Sequence, residues 1–313
     1  MDLIRRDAQF KKIEVIKKPK FECYTGLYGS SSNEFKLVLN NNENLLNIGD
    51  LVAYDTSEFG GKILRRIPDT ANKIVTYEGK TFRGQMEQSI VAPFGVISLT
   101  GTLNEIATQL FELSQLEYSI APYNDDAEKT LVVPVGSNLL KAMDLLLLSF
   151  GCKMFLKISD VGVQVFFDAV NVKGFDASQT DVVIDENHLL PTALHAIGKV
   201  NDVTHSASVF LQADGSVSRN RHYSGMDASE IWQSINDNCE NEEQFYNLIS
   251  EKLLALRKTG NKSSVSVKLE QADIGDIIKI SVGKTNISAF QTVSERVLKM
   301  SNNNTLFSFK MGG

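Results

Sequence analysis

The first third of the chain contains short apolar runs that partly alternate with polar residues, a pattern typical of β-strands. The runs are Phe35–Leu39, Asp50–Tyr54, Lys62–Leu64 and Lys73–Tyr77, and Asn, Gly and Pro-Asp breakers separate them. Alternation of this kind places apolar side chains on one face of a sheet and polar side chains on the other. We therefore expect an antiparallel sheet with one solvated face, such as a small barrel.

The pattern changes to a helical period near residue 102. Thr102 and Glu105 have the spacing of a capping box, in which hydroxyl and carboxylate satisfy unpaired amides at a helix start. The apolar residues that follow recur at steps of three and four and define one buried face: Leu103, Ile106, Ala107, Leu110 and Leu113. The sequence predicts a helix that packs against a core.

A second, almost wholly apolar helix is predicted from Ser137, as N-cap, to Gly151, which tolerates the positive φ of a helix end. A helix that is apolar on nearly all sides requires burial on more than one side. The strands Met154–Ile158 and Val163–Phe167 follow as a hairpin. We expect this region to form a separate α+β unit.

The last third returns to strand-like sequence between Leu194 and Val217, where Asp214–Gly215 is a favoured hairpin turn. A helix is then predicted to start near Asp227–Glu230 and to end at Gly260. Its apolar face comprises Phe245, Leu248, Ile249, Leu253 and Leu256. Strands resume at Ser264–Leu269 and continue to the C-terminus.

These patterns predict a β-rich α+β protein with two related small β-barrel domains. The expected domains are a first barrel over residues 1–95, an α+β insertion over 96–190, and a second barrel over 191–313 with a helical insertion at about 227–259. A chain of 313 residues is long enough for more than one core, because single cores stop growing near ~250 residues.

An internal repeat supports the two-barrel prediction. Ile48-Gly49-Asp50-Leu51-Val52 recurs as Ile274-Gly275-Asp276-Ile277-Ile278, each time just after an alternating strand. Glycine admits a tight backbone turn, and aspartate hydrogen-bonds nearby amides as the chain re-enters a sheet. We therefore assign Gly49, Asp50, Gly275 and Asp276 as structural turn residues that need no ligand.

Composition and charge narrow the classes of function. The net charge of −6 argues against a nucleic-acid-binding surface, which normally shows a clustered basic face. No apolar run approaches the ~20 residues that span a bilayer, so no membrane insertion is expected. The three cysteines and four histidines lack zinc-site spacing, and we expect free thiols, no metal and no cofactor.

Several residues are candidates for catalysis or binding, and for each of them a structural role is favoured. Asp181, Asp185 and Glu186 are expected in a solvated linker rather than as a pair for glycoside cleavage, and Asp125-Asp126 in a turn. We expect Gly26–Ser32 to be a surface loop, Cys152 to be a buried inert thiol, and Trp232 to be a core or interface residue. The expectation is a protein that is not an enzyme.

Short motifs in a fixed order resemble the hub proteins of tailed phages, in particular siphophage tail-tip hubs related to the central hub of contractile-tail baseplates. The motifs resembling the opening barrel are Gly49-Asp50 with Asp55, Phe59–Ile63 and Tyr77–Phe82. Ala196–Val200 with Phe210–Gly215 is similar to the family's central signature, and Ile274–Asp276 to Phe309–Gly312 resembles its closing barrel.

The resemblance implies a structural protein of a phage or prophage virion, located at the tail tip or baseplate and in the host cytoplasm during assembly. It implies a homotrimeric ring that joins the tail tube to a spike, fibre or receptor-binding protein. The implied neighbours are the distal tail protein and the tape-measure protein, and DNA is a partner only in transit.

Because the chain has a negative net charge, we expect the inner wall of the implied ring to be neutral to acidic. The alternative is a tail-associated cell-wall-degrading enzyme, such as a peptidoglycan hydrolase, or a carbohydrate-binding module. Either needs a convergent acid pair or an aromatic platform, and the sequence indicates neither.

Overall fold

The computed structural model describes residues 2–40, 46–176, 182–184, 190–260, 263–265, 272–282, 287–301 and 304–312. The described residues form many strands, four α-helices and several sheets, so the predicted β-rich α+β class is confirmed. Two compact units are present: Met1–Val182 with Val265–Gly312, and Val183–Ser264. Strands β14 (Val182–Ile184) and β19 (Ser263–Val265) lie where the chain passes from one unit to the other.

The first unit is dominated by one large sheet. Its strands are β1 (Leu3–Arg6), β2 (Lys12–Ile16), β3 (Lys20–Gly26), β4 (Glu34–Asn40), β5 (Leu51–Tyr54), β6 (Gly60–Asp69), β7 (Ile74–Thr81), β13 (Val172–Asp176), β20 (Ile277–Val282), β21 (Ile287–Ser301) and β22 (Asn304–Gly312). The strand order is β13-β20-β21-β3-β4-β7-β6-β5-β1-β2, with β22 also on β21. Strands from both ends of the chain therefore share one sheet.

The inner face of this sheet carries the apolar half of the predicted alternation. Phe21, Phe35, Leu37, Ile63 and Tyr77 are all fully or almost fully buried in one cluster. The polar residues between them point to the opposite face, as the two-residue period of a strand requires. The sheet with one wet face that the sequence predicted in the first third is therefore confirmed.

The α+β part of the first unit contains three helices and five strands. The helices are α1 (Phe82–Gln88), α2 (Leu103–Ser114) and α3 (Leu139–Phe150), and the strands are β8 (Ile97–Gly101), β9 (Ser119–Ile120), β10 (Lys129–Val133), β11 (Cys152–Ser159) and β12 (Gly162–Ala169). β8 pairs with β10, and β12 pairs with both β11 and β9. The predicted hairpin of β11 and β12 is confirmed.

Helix starts and ends follow the local signals closely. Thr102 and Glu105 form both bonds of the predicted capping box, and Gly151 ends α3 with φ +67°. The N-cap of α3 is Asn138 rather than the predicted Ser137, because the Asn138 side chain accepts the Lys141 amide. Leu113 was expected in the core but is 46% exposed, since it lies in the last turn of α2.

The second unit is a four-stranded sheet with one helix on one face. Its elements are β15 (Ala193–Val200), β16 (Val203–Leu211), β17 (Val217–Ser218), β18 (Glu230–Cys239) and α4 (Glu242–Gly260), in the sheet order β17-β16-β15-β18. Leu194, Val209, Phe245, Ile249 and Leu253 form its core. The predicted hairpin turn is present, with Gly215 at φ +83°.

The prediction of a helix that starts near Asp227 is wrong. Glu230–Cys239 is the strand β18, which pairs in parallel with β15, and the helix begins only at Glu242. From Ile231 to Ile235, less exposed residues alternate with exposed ones, which is the two-residue period that the capping-like Asp227–Glu230 sequence obscured.

The compact units differ from the domain bounds 1–95, 96–190 and 191–313. The cause is the antiparallel ladder between β21 and β3, which runs from Glu295 opposite Gly26 to Met300 opposite Phe21. Local sequence patterns do not encode which distant strands pair. The described strands trace an open path, so closure of each repeated element into a barrel stays a prediction.

Within the described residues, no helix combines the length and the apolar composition that crossing a bilayer requires.

Replacing a fully buried residue of the helical core tests the packing of the first unit. Ile106 is fully buried in α2, and Ile106→Ala should destabilise the unit by about 2–5 kcal/mol, because it removes apolar contact and leaves a cavity. The control Val161→Ala, at an exposed hairpin tip, should change the urea midpoint little. Equal effects of the two substitutions would contradict the assigned core.

Candidate functional site

The first repeated turn joins residue 47 to the start of β5. Gly49 has φ +98°, and its amide donates to the Ile63 carbonyl oxygen at 2.9 Å. The Ile63 amide in turn donates to the Asp50 carbonyl oxygen at 2.9 Å. The Asp50 carboxylate accepts the Asn47 amide at 2.8 Å and Nε of Arg5 at 2.8 Å.

The second repeated turn leads into β20 with the same connections. Gly275 has φ +93°, its amide donates to the Val293 carbonyl oxygen at 2.9 Å, and the Val293 amide donates to the Asp276 carbonyl oxygen at 2.8 Å. The Asp276 carboxylate accepts the Asp273 amide at 3.0 Å and Nζ of Lys153 at 2.8 Å.

The two turns thus have the same backbone hydrogen bonds. In each, the aspartate carboxylate accepts the amide three residues earlier and also binds a basic side chain. The strand that leaves each turn pairs with the next strand, β6 or β21. That second strand has a register shift directly after the residue bonded to the turn, between Ile63 and Arg65 in β6 and between Val293 and Glu295 in β21. Such bulges bend a strand and increase its twist. The same local sequence therefore builds the same turn and bend twice within the first unit.

The second turn differs from the first in holding a buried ionic cluster. The Lys153 side chain is 2% exposed and Asp276 is fully buried. Lys153 also reaches Asp273 at 3.2 Å, Lys173 reaches Asp276 at 3.3 Å, and Arg296 donates to Asp273 at 3.0 Å. These residues come from β11, β13, the turn and β21, so the cluster ties the helical part of the first unit to the large sheet.

Both central groups of the cluster are held in their charged forms. Burial favours the neutral form of Asp276, but the bonds from Lys153 and from the Asp273 and Asn171 amides keep the pKa of Asp276 below its ordinary value. Burial likewise acts to lower the pKa of Lys153, but its bonds to Asp276 and Asp273 outweigh this and leave that pKa raised. A buried pair is tolerated because each charge has several partners.

A second buried pair lies nearby in the same unit. Nε of Arg83, at the start of α1, donates to Glu58 at 2.9 Å, and Nη2 of Arg83 donates to the Met154 carbonyl oxygen. Arg83 is almost fully buried, so α1, the β5–β6 connection and β11 are held together around one guanidinium group.

The outer face of the large sheet carries five charged residues opposite one another on adjacent strands, which we call the charge row. Its members are Lys299 on β21, Glu22 on β3, Lys36 on β4, Glu78 on β7 and Arg65 on β6. Lys299 lies 3.7 Å from Glu22, and Arg65 lies 3.2 Å from Glu78. Cross-strand neighbours of opposite charge stabilise a sheet, and the signs alternate along the whole row.

The second unit has a polar cluster on the sheet face opposite α4. The ring nitrogens of His195 lie 2.8 Å from Ser208 Oγ and 2.8 Å from Glu230. Arg221 pairs with Glu230 and lies over the Phe210 ring. The hydrogen bonds from Arg221 and then His195 keep the pKa of Glu230 below its ordinary value.

The other candidate residues of the sequence have separate structural roles. Cys23, Cys152 and Cys239 are free thiols, as predicted, and burial raises the pKa of Cys23. Trp232 is 65% exposed, which rules out the core and leaves an interface role as a prediction. The amide of Tyr28, in the predicted surface loop, donates to Asp144 at 2.7 Å.

Asp125 and Asp126 lie outside helices and strands, while Asp181, Asp185, Glu186 and His188 lie outside the described residues. In the part of the chain that the structure describes, no group of three or more His, Cys, Asp or Glu side chains is arranged to hold a metal ion.

Sequence reasoning missed the buried cluster, the charge row and the His195 cluster. The buried cluster and the Lys299–Glu22 pair join elements that are distant in the sequence, and the other contacts depend on strand registers that residue patterns do not specify. The only local signal was the Gly-Asp repeat, which placed Asp276 but not its partner Lys153.

No protein-family model matches the sequence, and no curated protein is similar to it in sequence. Solved structures are similar over the whole chain. A tail protein from Neisseria meningitidis MC58 has a TM-score of 0.57 at 12% identity, covering 100% of this chain and 96% of its own.

Prophage tail protein gp18 from Listeria monocytogenes EGD-e has a TM-score of 0.57 at 13% identity. The match covers 100% of this chain and 94% of that protein. The 43 kDa tail protein of prophage MuSo2 from Shewanella oneidensis has a TM-score of 0.58 at 10% identity. The match covers 99% of this chain and 98% of that protein. The chain has the fold of these tail proteins.

The two repeated glycines form a matched pair for substitution. Gly49→Ala should destabilise the first unit by about 1–3 kcal/mol, because an alanine is strained at this positive φ. Gly275→Ala should cost more, since the added Cβ would lie 3.0 Å from Cβ of Lys153, whereas nothing lies within 4 Å at Gly49. Urea unfolding measures both, and an equal or smaller loss for Gly275→Ala would contradict the described geometry.

Removing the carboxylate of Asp276 should be strongly destabilising. Asp276→Asn leaves Lys153 buried without its main counter-charge, and we expect a loss of about 3–5 kcal/mol by urea unfolding near neutral pH. The control breaks an exposed ion pair, that between Arg65 and Glu78. Arg65→Ala should cost less than about 1 kcal/mol.

The same substitution has a pH signature with a definite sign. Because the folded pKa of Asp276 is depressed, its stabilisation is present above the unfolded carboxyl pKa of about 3.9 and is lost as pH falls through the folded value. The difference in stability between wild type and Asp276→Asn should therefore shrink below about pH 4. A difference that stayed constant down to pH 2 would contradict the assigned charge state.

Proposed function

We propose that the chain is a structural hub protein of a phage or prophage tail tip or baseplate. In this role it forms a ring that joins the tail tube to the spike, fibre or receptor-binding apparatus and lets DNA pass. The observation that carries the proposal is the agreement of fold with three tail proteins over 94–98% of their lengths. The motif order that resembles tail hubs adds to it.

The repeated turn supports a ring. A head-to-tail interface closes into a ring when its rotation divides a full circle, and a chain that carries two similar elements doubles the apparent symmetry. Three copies would present six similar elements around the axis, so a trimer could adapt a six-fold partner to a three-fold one. A homotrimer is therefore the assembly we propose.

The neighbours in this proposal are the distal tail protein and the tape-measure protein on the tube side, and receptor-binding or spike proteins on the distal side. The chain would fold in the host cytoplasm and remain in the virion at the tail tip. The buried ionic cluster fits a static role, because its carboxylates are engaged by Lys153, Lys173 and Arg296.

Tail particles provide the test of this function. Quantitative mass spectrometry of purified particles should find three copies of the chain per tail, and disruption of its gene should give particles without an organised tip. Complementation with the intact gene is the control. Absence of the chain from otherwise complete tails would contradict the proposal, and clearing zones in zymograms of host cell walls would favour the enzymatic alternative.

A further inference from the structure

A group of exposed apolar side chains lies beside the two-stranded sheet of β8 and β10. Its members, which we call the apolar patch, are Ile90, Phe94, Val96, Val132 and Val135. Phe94 is 97% exposed, and the other four are 48–65% exposed. Single exposed apolar residues are common, but several on one surface mark a site of interaction.

Backbone pairing holds the two segments of the patch side by side. The ladder of β8 and β10 ends with Ile97 opposite Val133. Beyond the ladder, the Gly136 amide donates to the Ala92 carbonyl oxygen at 2.7 Å, so the two segments stay adjacent. The five side chains therefore belong to one continuous part of the surface.

The core of the first unit does not use this surface. On β10, Leu131 and Val133 are buried in the helical core, whereas Val132 between them is 58% exposed. Successive side chains of a strand point to opposite faces, so Val132 points away from that core. Packing within the chain thus does not account for the apolar residues of the patch.

The segments that form the patch carry no charge. Residues 88–104 and 130–140 contain no Asp, Glu, Lys or Arg. Two exposed polar residues of these segments, Thr100 and Thr130, are hydrogen-bonded to each other at 2.9 Å. Depletion of charged residues is the compositional mark of the centre of a protein interface, and nucleic acid would require basic side chains.

We infer that the apolar patch is the surface through which each copy of the chain contacts the next copy in the proposed ring. The inference rests on the proposed hub function. Contacts in a ring are head to tail, so the patch of one copy meets a different surface of its neighbour.

Area and composition both favour another copy of the chain as the occupant. The five side chains expose roughly 500 Å² of apolar surface, which is near the upper end for a single chain. A stable interface buries about 800 Å² on each partner, so the patch and a polar rim have the required size. Interfaces between copies of one chain are more apolar than those between transient partners, and the segments of the patch offer no charge to select a different protein.

A photoreactive residue within tail particles tests the inference. Phe94→p-benzoylphenylalanine, illuminated in purified tails, should link copies of the chain to one another. Mass spectrometry of the adducts should then find peptides of this chain alone. The matched control is Val161→p-benzoylphenylalanine at the exposed tip of the β11–β12 hairpin, which should give few or no adducts between copies.

Charged substitutions in the patch provide a second measurement. Phe94→Asp with Val135→Asp should lower the amount of the chain in tails roughly tenfold or more, because the interface would bury two unpaired carboxylates. Leu148→Asp with Val161→Asp adds the same charge at exposed apolar positions outside the patch, and should enter tails at the wild-type level. Both variants should keep the wild-type urea midpoint, because the substituted side chains are exposed.

The results separate this inference from the hub function. If tails contain the chain but residue 94 links it only to other proteins, or to nothing, the inference is overturned and the hub function stands. The same holds if the patch variant enters tails at the wild-type level, or if both charged variants are lost equally. Absence of the wild-type chain from complete tails would overturn the hub function itself.

Discussion

The ladder between β3 and β21 is the constraint on which the first unit depends. It joins residues 21–26 to residues 295–300, so that strands from the two ends of the chain form one sheet. Through this ladder, the strands that follow the first and second Gly-Asp turns belong to the same sheet. Without it, the repeat in the sequence would be two unrelated local turns rather than two parts of one surface.

The buried cluster around Asp276 shows how the repeat was adapted to two environments. In the first turn, Asp50 is engaged by Arg5 and stays near the surface. In the second, the corresponding carboxylate is fully buried and binds Lys153 from β11. The Gly-Asp sequence fixes the turn in both cases, while the basic partner comes from whichever element packs against it. The first turn is joined to β1 through Arg5, and the second anchors the helical part of the unit.

The sequence predicted what is local and missed what is distant. The capping box at Thr102, the end of α3 at Gly151 and the hairpin of β11 and β12 each depend on residues within a few positions of one another, and all were correct. The helix predicted from Asp227 failed because a capping-like sequence precedes a strand whose partner, β15, lies some 35 residues earlier. Contacts between distant parts of the chain, such as Lys299 with Glu22 and Lys153 with Asp276, leave no periodic signal in any one segment.

One sheet carries both repeated elements, and we propose that copies of the chain place them around a tail channel. Electron cryo-microscopy of the tail tip tests it most directly. The account predicts a three-fold ring in which each copy contributes two similar elements at the same radius, with β3 and β21 adjacent between them. A tip in which the chain lies outside the channel, or in which the two elements occupy unrelated radii, would contradict it.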